Sequence, residues 1–347
     1  MKQRVIIIVG VLISVVLLGF ALRDVSPPEL LAHLGEANLW WLAAATVAAT
    51  GTFAIRAIRW RILLAPLPEG LPFRSRFAAV CIGFMVNNLL PARIGEFARA
   101  YSLSRVAPIG VTAVLASLVV ERLLDGIVTV GLLLPAYFTL GPEALATAGP
   151  LVDFLTGFVI LVGIGIVVAA VMVVFPRPVL AVVERLSTSL PERFAGRLTG
   201  IAESFITGLG VLRRGRTLAM AFAWTIVVWL LNAFSFYLGF LAFEIEEPGP
   251  VGAMMLQSMI SLFVAIPSSP GFFGPFEFGA RVGLNLYGIE PSKIISFAAT
   301  YHILTFIPVT VLGIWYMRKL GITRKDIRTA GHESDPDVSR EATEPAE

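Results

Sequence analysis

Apolar residues run through this chain in long stretches, with polar residues gathered at the breaks. Runs at about 5–22, 40–55, 111–134, 151–175, 218–243 and 294–316 each predict a helix crossing a bilayer. Two further runs are short and interrupted. Residues 252–266 make about 15 residues, or about 22 Å of helix, against roughly 30 Å of hydrocarbon. Pro267, Ser268, Ser269, Pro270 and Gly271 then break the run, which resumes after Gly274 and Pro275 with Glu277 just inside the restart. Residues 77–90 behave alike, with the break at Asn87-Asn88-Leu89-Leu90-Pro91-Ala92-Arg93-Ile94-Gly95-Glu96. Each pattern predicts a re-entrant hairpin of two half-helices meeting at a Pro/Gly tip. Broken backbone at membrane depth is tolerated only inside protein or beside a watery cavity, so each tip is a candidate binding site.

Charge at the flanks assigns the sides, because Lys and Arg collect on cytoplasmic loops. Lys2 and Arg4 precede the first run, and 24–38 carries Asp24, Glu29 and Glu36 without a basic residue, which suits the outside. Arg56, Arg59 and Arg61 read as a cytoplasmic anchor of the second span. Arg74 and Arg76 precede the short run 77–90 and Arg93, Arg99 and Arg105 follow it, so that segment enters and leaves from the cytoplasm. Residues 176–216 are the most basic loop; Leu180, Val183 and Leu186, then Ile201, Phe205 and Leu209, recur at helical spacing and predict cytoplasmic amphipathic helices. Glu244, Glu246 and Glu247 lie outside, and Arg318 and Lys319 end the last span inside.

The expected fold is therefore an all-α polytopic membrane protein of six full spans and two re-entrant hairpins, with both termini cytoplasmic, in the cell inner (plasma) membrane. The order span, span, hairpin, span occurs twice with opposite orientation. This is an inverted-topology repeat, about 1–140 and 151–320, within one transmembrane domain over 1–330. Transporters built this way bind substrate near the midplane, between broken helices. The alternative is an ordinary bundle of eight to ten spans with proline kinks. The tail 331–347, rich in Glu, Asp, Ser and Pro, is expected to be disordered.

Composition sharpens this reading. Of 347 residues 56% are hydrophobic and 15% charged, against roughly 25% charged in soluble domains. The net charge of +3 follows from the basic loops and does not argue for nucleic acid. The single cysteine, Cys81, excludes an internal disulfide and a cysteine metal cluster. No Walker A, G-x-S-x-G or H-E-x-x-H pattern is present, so no catalytic residue, cofactor or metal is assigned.

The candidate chemistry lies in charges within apolar runs, each costing about 2.5–3.5 kcal/mol at a helix centre. Glu121, Arg122 and Asp125 should face the protein interior. Glu121 and Asp125, four apart, share a face, whereas Arg122 points elsewhere and needs a partner such as Glu96 or Glu277. The three serve as an ion-pair lock, a substrate site, or both. Arg93, Glu96 and Arg99 are spaced three apart after Pro91. A helix start flanked by guanidinium groups binds anions, and lipid phosphate is the natural anion here; otherwise the two arginines snorkel as anchors. At the second tip, Pro270 and Gly271 shape the turn. Glu277 caps the next half-helix, carries a proton, or partners a substrate amine or Arg122. Arg281 is placed to pair with Glu277. His302 reads as a packing histidine rather than a titrating one.

The segments N-N-L-L-P-A-R-I-G-E-F-A-R-A-Y (87–101), E-R-L-L-D-G (121–126) and I-P-S-S-P-G-F-F-G-P-F-E (266–277) resemble the flippase-like transmembrane region of lysylphosphatidylglycerol synthases. The resemblance covers about 5–320. It implies lipid translocation and directs attention to Arg93, Glu96, Arg99, Glu121, Arg122, Asp125, Pro270, Gly271 and Glu277. No soluble aminoacyl-transferase domain accompanies these segments, so lysine transfer is not expected of them. Three functions stay open: a flippase for a phospholipid or lipid-linked precursor, an integral-membrane transferase, and a partner subunit of a glycosyltransferase or synthase. Self-association is also left open.

Overall fold

Residues with apolar side chains on all sides fold as helices, because backbone polar groups removed from water must pair within the segment. The computed structural model describes residues 2–67, 70–90, 94–140, 149–187, 192–266, 268–323 and 326, and every regular element among them is helical. In chain order these are α1 (Lys2–Ala21), α2 (Pro27–Glu36), α3 (Leu39–Leu63), α4 (Phe73–Leu89), α5 (Gly95–Val106), α6 (Val111–Gly131) and α7 (Leu134–Thr139). Then come α8 (Gly149–Val174), α9 (Pro176–Ser187), α10 (Glu192–Gly208), α11 (Gly215–Ala242), α12 (Gly249–Val264), α13 (Pro275–Asn285) and α14 (Pro291–Lys319). Short 3-10 turns occupy Leu209–Arg213 and Pro270–Phe272. Helices α3, α11, α14 and the stretch Leu155–Val174 of α8 are long and apolar enough to cross a membrane. Helix α6 has 21 residues, about 31 Å, and carries Glu121, Arg122 and Asp125 close to its middle. The protein is an all-helical, multi-pass membrane protein.

Helices α3 and α11 form the central pair and run antiparallel. Asn38 N–H donates to the Ala242 carbonyl (2.9 Å), Ser235 Oγ donates to the Ala45 carbonyl (2.7 Å), and Arg59 reaches Thr225 (3.0 Å). Each end of the pair supports its own hydrophobic core. Trp60 and Leu63 of α3 pack with Val80 of α4, Leu103 of α5 and Val114 of α6. Leu42 and Ala45 pack instead with Leu256 of α12, Leu284 of α13 and Phe297 of α14. The α4–α5 unit thus sits at one end of the central pair and the α12–α13 unit at the other.

Both units fold back on themselves through glycine contacts. A Cβ at Gly95 would overlap the Gly83 carbonyl oxygen, and one at Gly279 would stand 2.9 Å from the Ile260 Cα. Their inner ends converge on α14. Asn88, at the end of α4, donates to Thr310 (2.8 Å), while Gly271, with φ +72°, lies against Phe306. Those contacts are one helical turn apart, on either side of Pro308.

The predicted loop 24–38 contains α2, whose pattern was too short and polar to announce a helix. It is seated on the start of α14: Ser292 Oγ donates to Glu29 (2.9 Å) and His33 meets Glu290 at 3.1 Å. In the basic loop 176–216 the expected helices form as α9 and α10, and α10 docks against α6, where a Cβ at Gly208 would overlap the Ala113 carbonyl. The tail 331–347 lies outside the described residues.

Replacing Gly95 by Ala should lower thermal stability in detergent, since overpacking costs about 1–3 kcal/mol. Gly51, which faces open space, should accept Ala without loss. Equal melting temperatures for the two variants would contradict the close α4–α5 contact.

Candidate functional site

Three acidic and basic residues close together in an apolar helix cannot all face lipid, and α6 turns Glu121 and Asp125 inward toward α3 and α5. Glu121, fully buried, receives both Nη groups of Arg99 (2.7 and 3.0 Å). It also meets Arg59 Nη2 at 3.1 Å and Arg122 Nη2 at 2.7 Å. Asp125 Oδ1 accepts from Arg59 Nη1 (2.6 Å) and from the Trp229 indole N–H (3.0 Å). Asp125 Oδ2 lies 3.5 Å from Arg122 Nη2 and 3.8 Å from Arg56 Nη1. The Arg99 guanidinium stands 3.8 Å from the centre of the Trp60 ring, where the ring face adds attraction. Trp60 is itself held by its N–H bond to Ser117 (3.1 Å).

This network has two layers. Arg59, Arg99 and Glu121 are almost wholly enclosed, and both arginines bind Glu121. Arg122 is different: 42% of its side chain remains exposed, and it opens into a cavity of about 380 Å³, within the roughly 300–1,000 Å³ usual for ligand pockets. Arg56, Glu96, Arg99 and Asp125 line the charged side. Phe158, Leu161 and Val162 of α8, with Val264 and Phe272, form the apolar side. The wall therefore includes parts of both broken segments.

Two buried acceptors lack a hydrogen-bond donor among the described residues, Asp125 Oδ2 and Gln257 Oε1; both residues line the cavity. Among the described residues four guanidinium groups (Arg56, Arg59, Arg99, Arg122) stand against three carboxylates (Glu96, Glu121, Asp125), an excess of one positive charge.

Of the residues singled out from sequence, Glu96, Arg99, Arg122 and Asp125 line this cavity and Glu121 lies directly behind it. Arg93 falls outside the described residues. Pro270 and Gly271 shape the 3-10 turn whose last residue, Phe272, touches the cavity. Glu277 and Arg281 are not part of it. Arg122 pairs with its own neighbours Glu121 and Asp125 rather than with Glu277, because its long side chain folds back along α6. Arg281 does not pair with Glu277 either: one Glu277 oxygen accepts the Gly274 N–H (2.6 Å) and the other contacts His302 Nδ1 at 2.8 Å.

The clearest correction concerns Arg56 and Arg59. Expected as a cytoplasmic anchor, they are 8% and 0% exposed and hold the centre of the network. Helix α3 does not end at Ile55 but continues to Leu63. Ile58, Trp60, Ile62 and Leu63, apolar beyond the first arginine, were the available signal. Trp229 and Gln257 carried no signal beyond being polar-tipped residues in apolar runs.

A family profile for the lysylphosphatidylglycerol synthase transmembrane region matches residues 7–313. Among curated proteins, the chain is 27% identical over 363 aligned positions to "Glycosyltransferase AglD" of Haloferax volcanii, covering 96% of this chain and 57% of that protein. It is 25% identical over 308 positions to a "UPF0104 membrane protein" of Methanothermobacter thermautotrophicus, covering 87% of this chain and 90% of that one. The chain thus spans little more than half of the first relative and nearly all of the second.

The two layers predict opposite responses. Glu121→Gln strands Arg59 and Arg99 without their shared counter-charge, a loss of about 3–5 kcal/mol or roughly 10 °C of melting temperature. Arg122→Gln removes a half-exposed partner and should leave the melting temperature within a few degrees. Thermal unfolding in detergent separates the two, and a large drop for Arg122→Gln would merge the layers into one structural lock.

Proposed function

This chain belongs to the lysylphosphatidylglycerol synthase transmembrane-region family, and we propose that it is a flippase moving an anionic phospholipid, an aminoacylated phospholipid or a lipid-linked precursor between leaflets. The observation that carries the reading is the excess of one positive charge among the described residues at the wall of an amphipathic cavity. An unbalanced guanidinium in apolar surroundings is costly, and the phosphodiester of a glycerophospholipid brings one negative charge to offset it. Arg122 and Arg56 supply donors in the forked geometry that phosphate accepts. Gln257 Oε1 and Asp125 Oδ2 offer acceptors for head-group hydroxyl or ammonium groups. The apolar wall on α8 suits acyl chain, and the Leu155–Val174 stretch buries little of its own surface, leaving that side toward lipid.

The topology in this proposal is six spans with two re-entrant hairpins, both termini cytoplasmic, in an inverted repeat. It is supported by the antiparallel α3–α11 pair, by α4–α5 and α12–α13 lying at its opposite ends, and by their tips meeting α14 one turn apart. In this scheme the two hairpins open alternately, one to each face, and the head group stays at the arginines while access changes sides.

A second reading draws on the Haloferax volcanii relative, whose name is that of a glycosyltransferase. Under it the cavity holds a phosphate-linked lipid for a transferase or for a partner enzyme. Lipid analysis by mass spectrometry distinguishes the two, since a flippase relocates its lipid without changing its mass.

In proteoliposomes with a fluorescent phosphatidylglycerol, Arg122→Gln should slow lipid movement about 10- to 100-fold, the loss expected for a charge-assisted hydrogen bond. Arg56→Gln should also reduce it. Unchanged transport in a folded Arg122→Gln protein would remove the head-group assignment.

A further inference from the structure

A second cavity of about 200 Å³ adjoins the first and shares Phe84, Ser261, Val264 and Phe272 with it. His302 lies on its wall, and Glu277 behind it completes a buried pair that the head-group site does not use. Glu277 of α13 is 3% exposed and His302 of α14 is 6% exposed, with Oε1 and Nδ1 2.8 Å apart. Phe276 stacks on the imidazole (centroids 4.0 Å, 17°) and Phe273 covers it at 4.6 Å. Capping explains only half of this arrangement. The other carboxylate oxygen accepts the Gly274 N–H (2.6 Å) and would cap α13 without any histidine.

With an ionised carboxylate, which only accepts, beside a neutral imidazole, the Nδ1 contact puts the hydrogen on Nδ1 and leaves the lone pair on Nε2. Nε2 has no hydrogen-bond partner among the described residues, and His302 lines the cavity together with Asn88, Asn232 and Thr305. We propose that Glu277 and His302 form a proton-binding site facing this second cavity, and that its loading is coupled to passage of the lipid head group through the first. The proposal rests on the flippase reading and adds the coupling ion to it.

The step is a single proton transfer. Water in the cavity delivers H⁺ to Nε2, the neutral imidazole becomes imidazolium, and Glu277 stays ionised as its counter-charge. The pair goes from net negative to neutral. Among the described residues no other charge answers that change nearby. Helix α12 and residues 8–21 of α1, both packed against α13, carry no ionisable side chain. From α14 only Tyr301 lies beside His302, and it is bonded to Ser235 (2.7 Å). Arg281, on α13 itself, does not reach Glu277, and α3, α4 and α11 face the cavity with uncharged residues such as Thr52, Asn88 and Asn232. The change therefore falls on the turn that Glu277 holds. There Gly271, Phe272 and Gly274 all adopt positive φ (72°, 63° and 96°), and Phe272 lines both cavities.

The test uses the full chain in vesicles of phosphatidylcholine and phosphatidylglycerol. A trapped pH dye records proton entry under an imposed pH gradient, and a fluorescent phosphatidylglycerol records lipid movement in the same vesicles. The expected result is proton entry with the wild-type chain that falls at least tenfold in His302→Gln and Glu277→Gln. His33→Gln, altered at the surface pair with Glu290, should match wild type. Size-exclusion and melting profiles identify a variant that has not folded; wild-type proton entry alone then decides. Lipid movement without proton entry overturns the proton site and leaves the flippase reading standing. Proton entry without lipid movement supports the site as a proton path and overturns the flippase reading. Neither signal overturns both, and wild-type proton entry in folded His302→Gln overturns the assignment of the site.

Discussion

Ionised groups taken out of water must find each other, and in this protein that requirement ties three helices together. Arg59 on α3 and Arg99 on α5 close on Glu121 of α6, and Asp125 one turn later holds Arg59 and Trp229 of α11. None of these helices could rotate or slide without leaving a buried charge unpaired, at a cost of several kcal/mol. The network therefore sets the register of α3, α5 and α6 more firmly than apolar packing, which tolerates small shifts.

The same balance leaves a residue of charge where it can act. Two carboxylates on α6 serve four guanidinium groups, and Glu96 on α5 reduces the surplus to one. The surplus falls at the cavity wall, where Arg56 reaches Asp125 only at 3.8 Å and Arg122 is 42% exposed. A lock and a binding surface thus share the same carboxylates. Stability and affinity are separable only by the depth at which each arginine sits.

Broken helices make the cavity possible. A continuous pair of spans would fill the space beside α6 and α14 with side chains. Instead α4 ends at Leu89 and α12 at Val264, and the gap between them becomes the two adjoining cavities. Glycines carry the cost of the reversals. Gly83 and Gly95 let α4 and α5 touch through backbone, and Gly274 accepts a positive φ with the Glu277 carboxylate holding its N–H. The cap on α13 and the histidine behind it connect the shape of that turn to the second cavity.

Much of this was legible along the chain. Apolar runs and their breaks determined an all-helical membrane protein with short interrupted pairs near 77–104 and 258–286, since length and hydrophobicity are local properties. Charges placed in an apolar run identified Glu121 and Asp125 as interior residues, because exposure to lipid is too costly, whereas Arg122 keeps 42% of its side chain exposed. Partnership was a different matter. Arg56 and Arg59 look like an anchor in sequence because a basic cluster near the end of an apolar run has the same composition whether the helix stops or continues. Only the packing of α3 against α6 and α11 makes them core residues. Likewise, Glu277 meets His302, 25 positions away, rather than Arg281 on its own helix. The turn at Gly274 and the crossing of α14 aim the two side chains at each other, and spacing within one helix carries no record of that crossing.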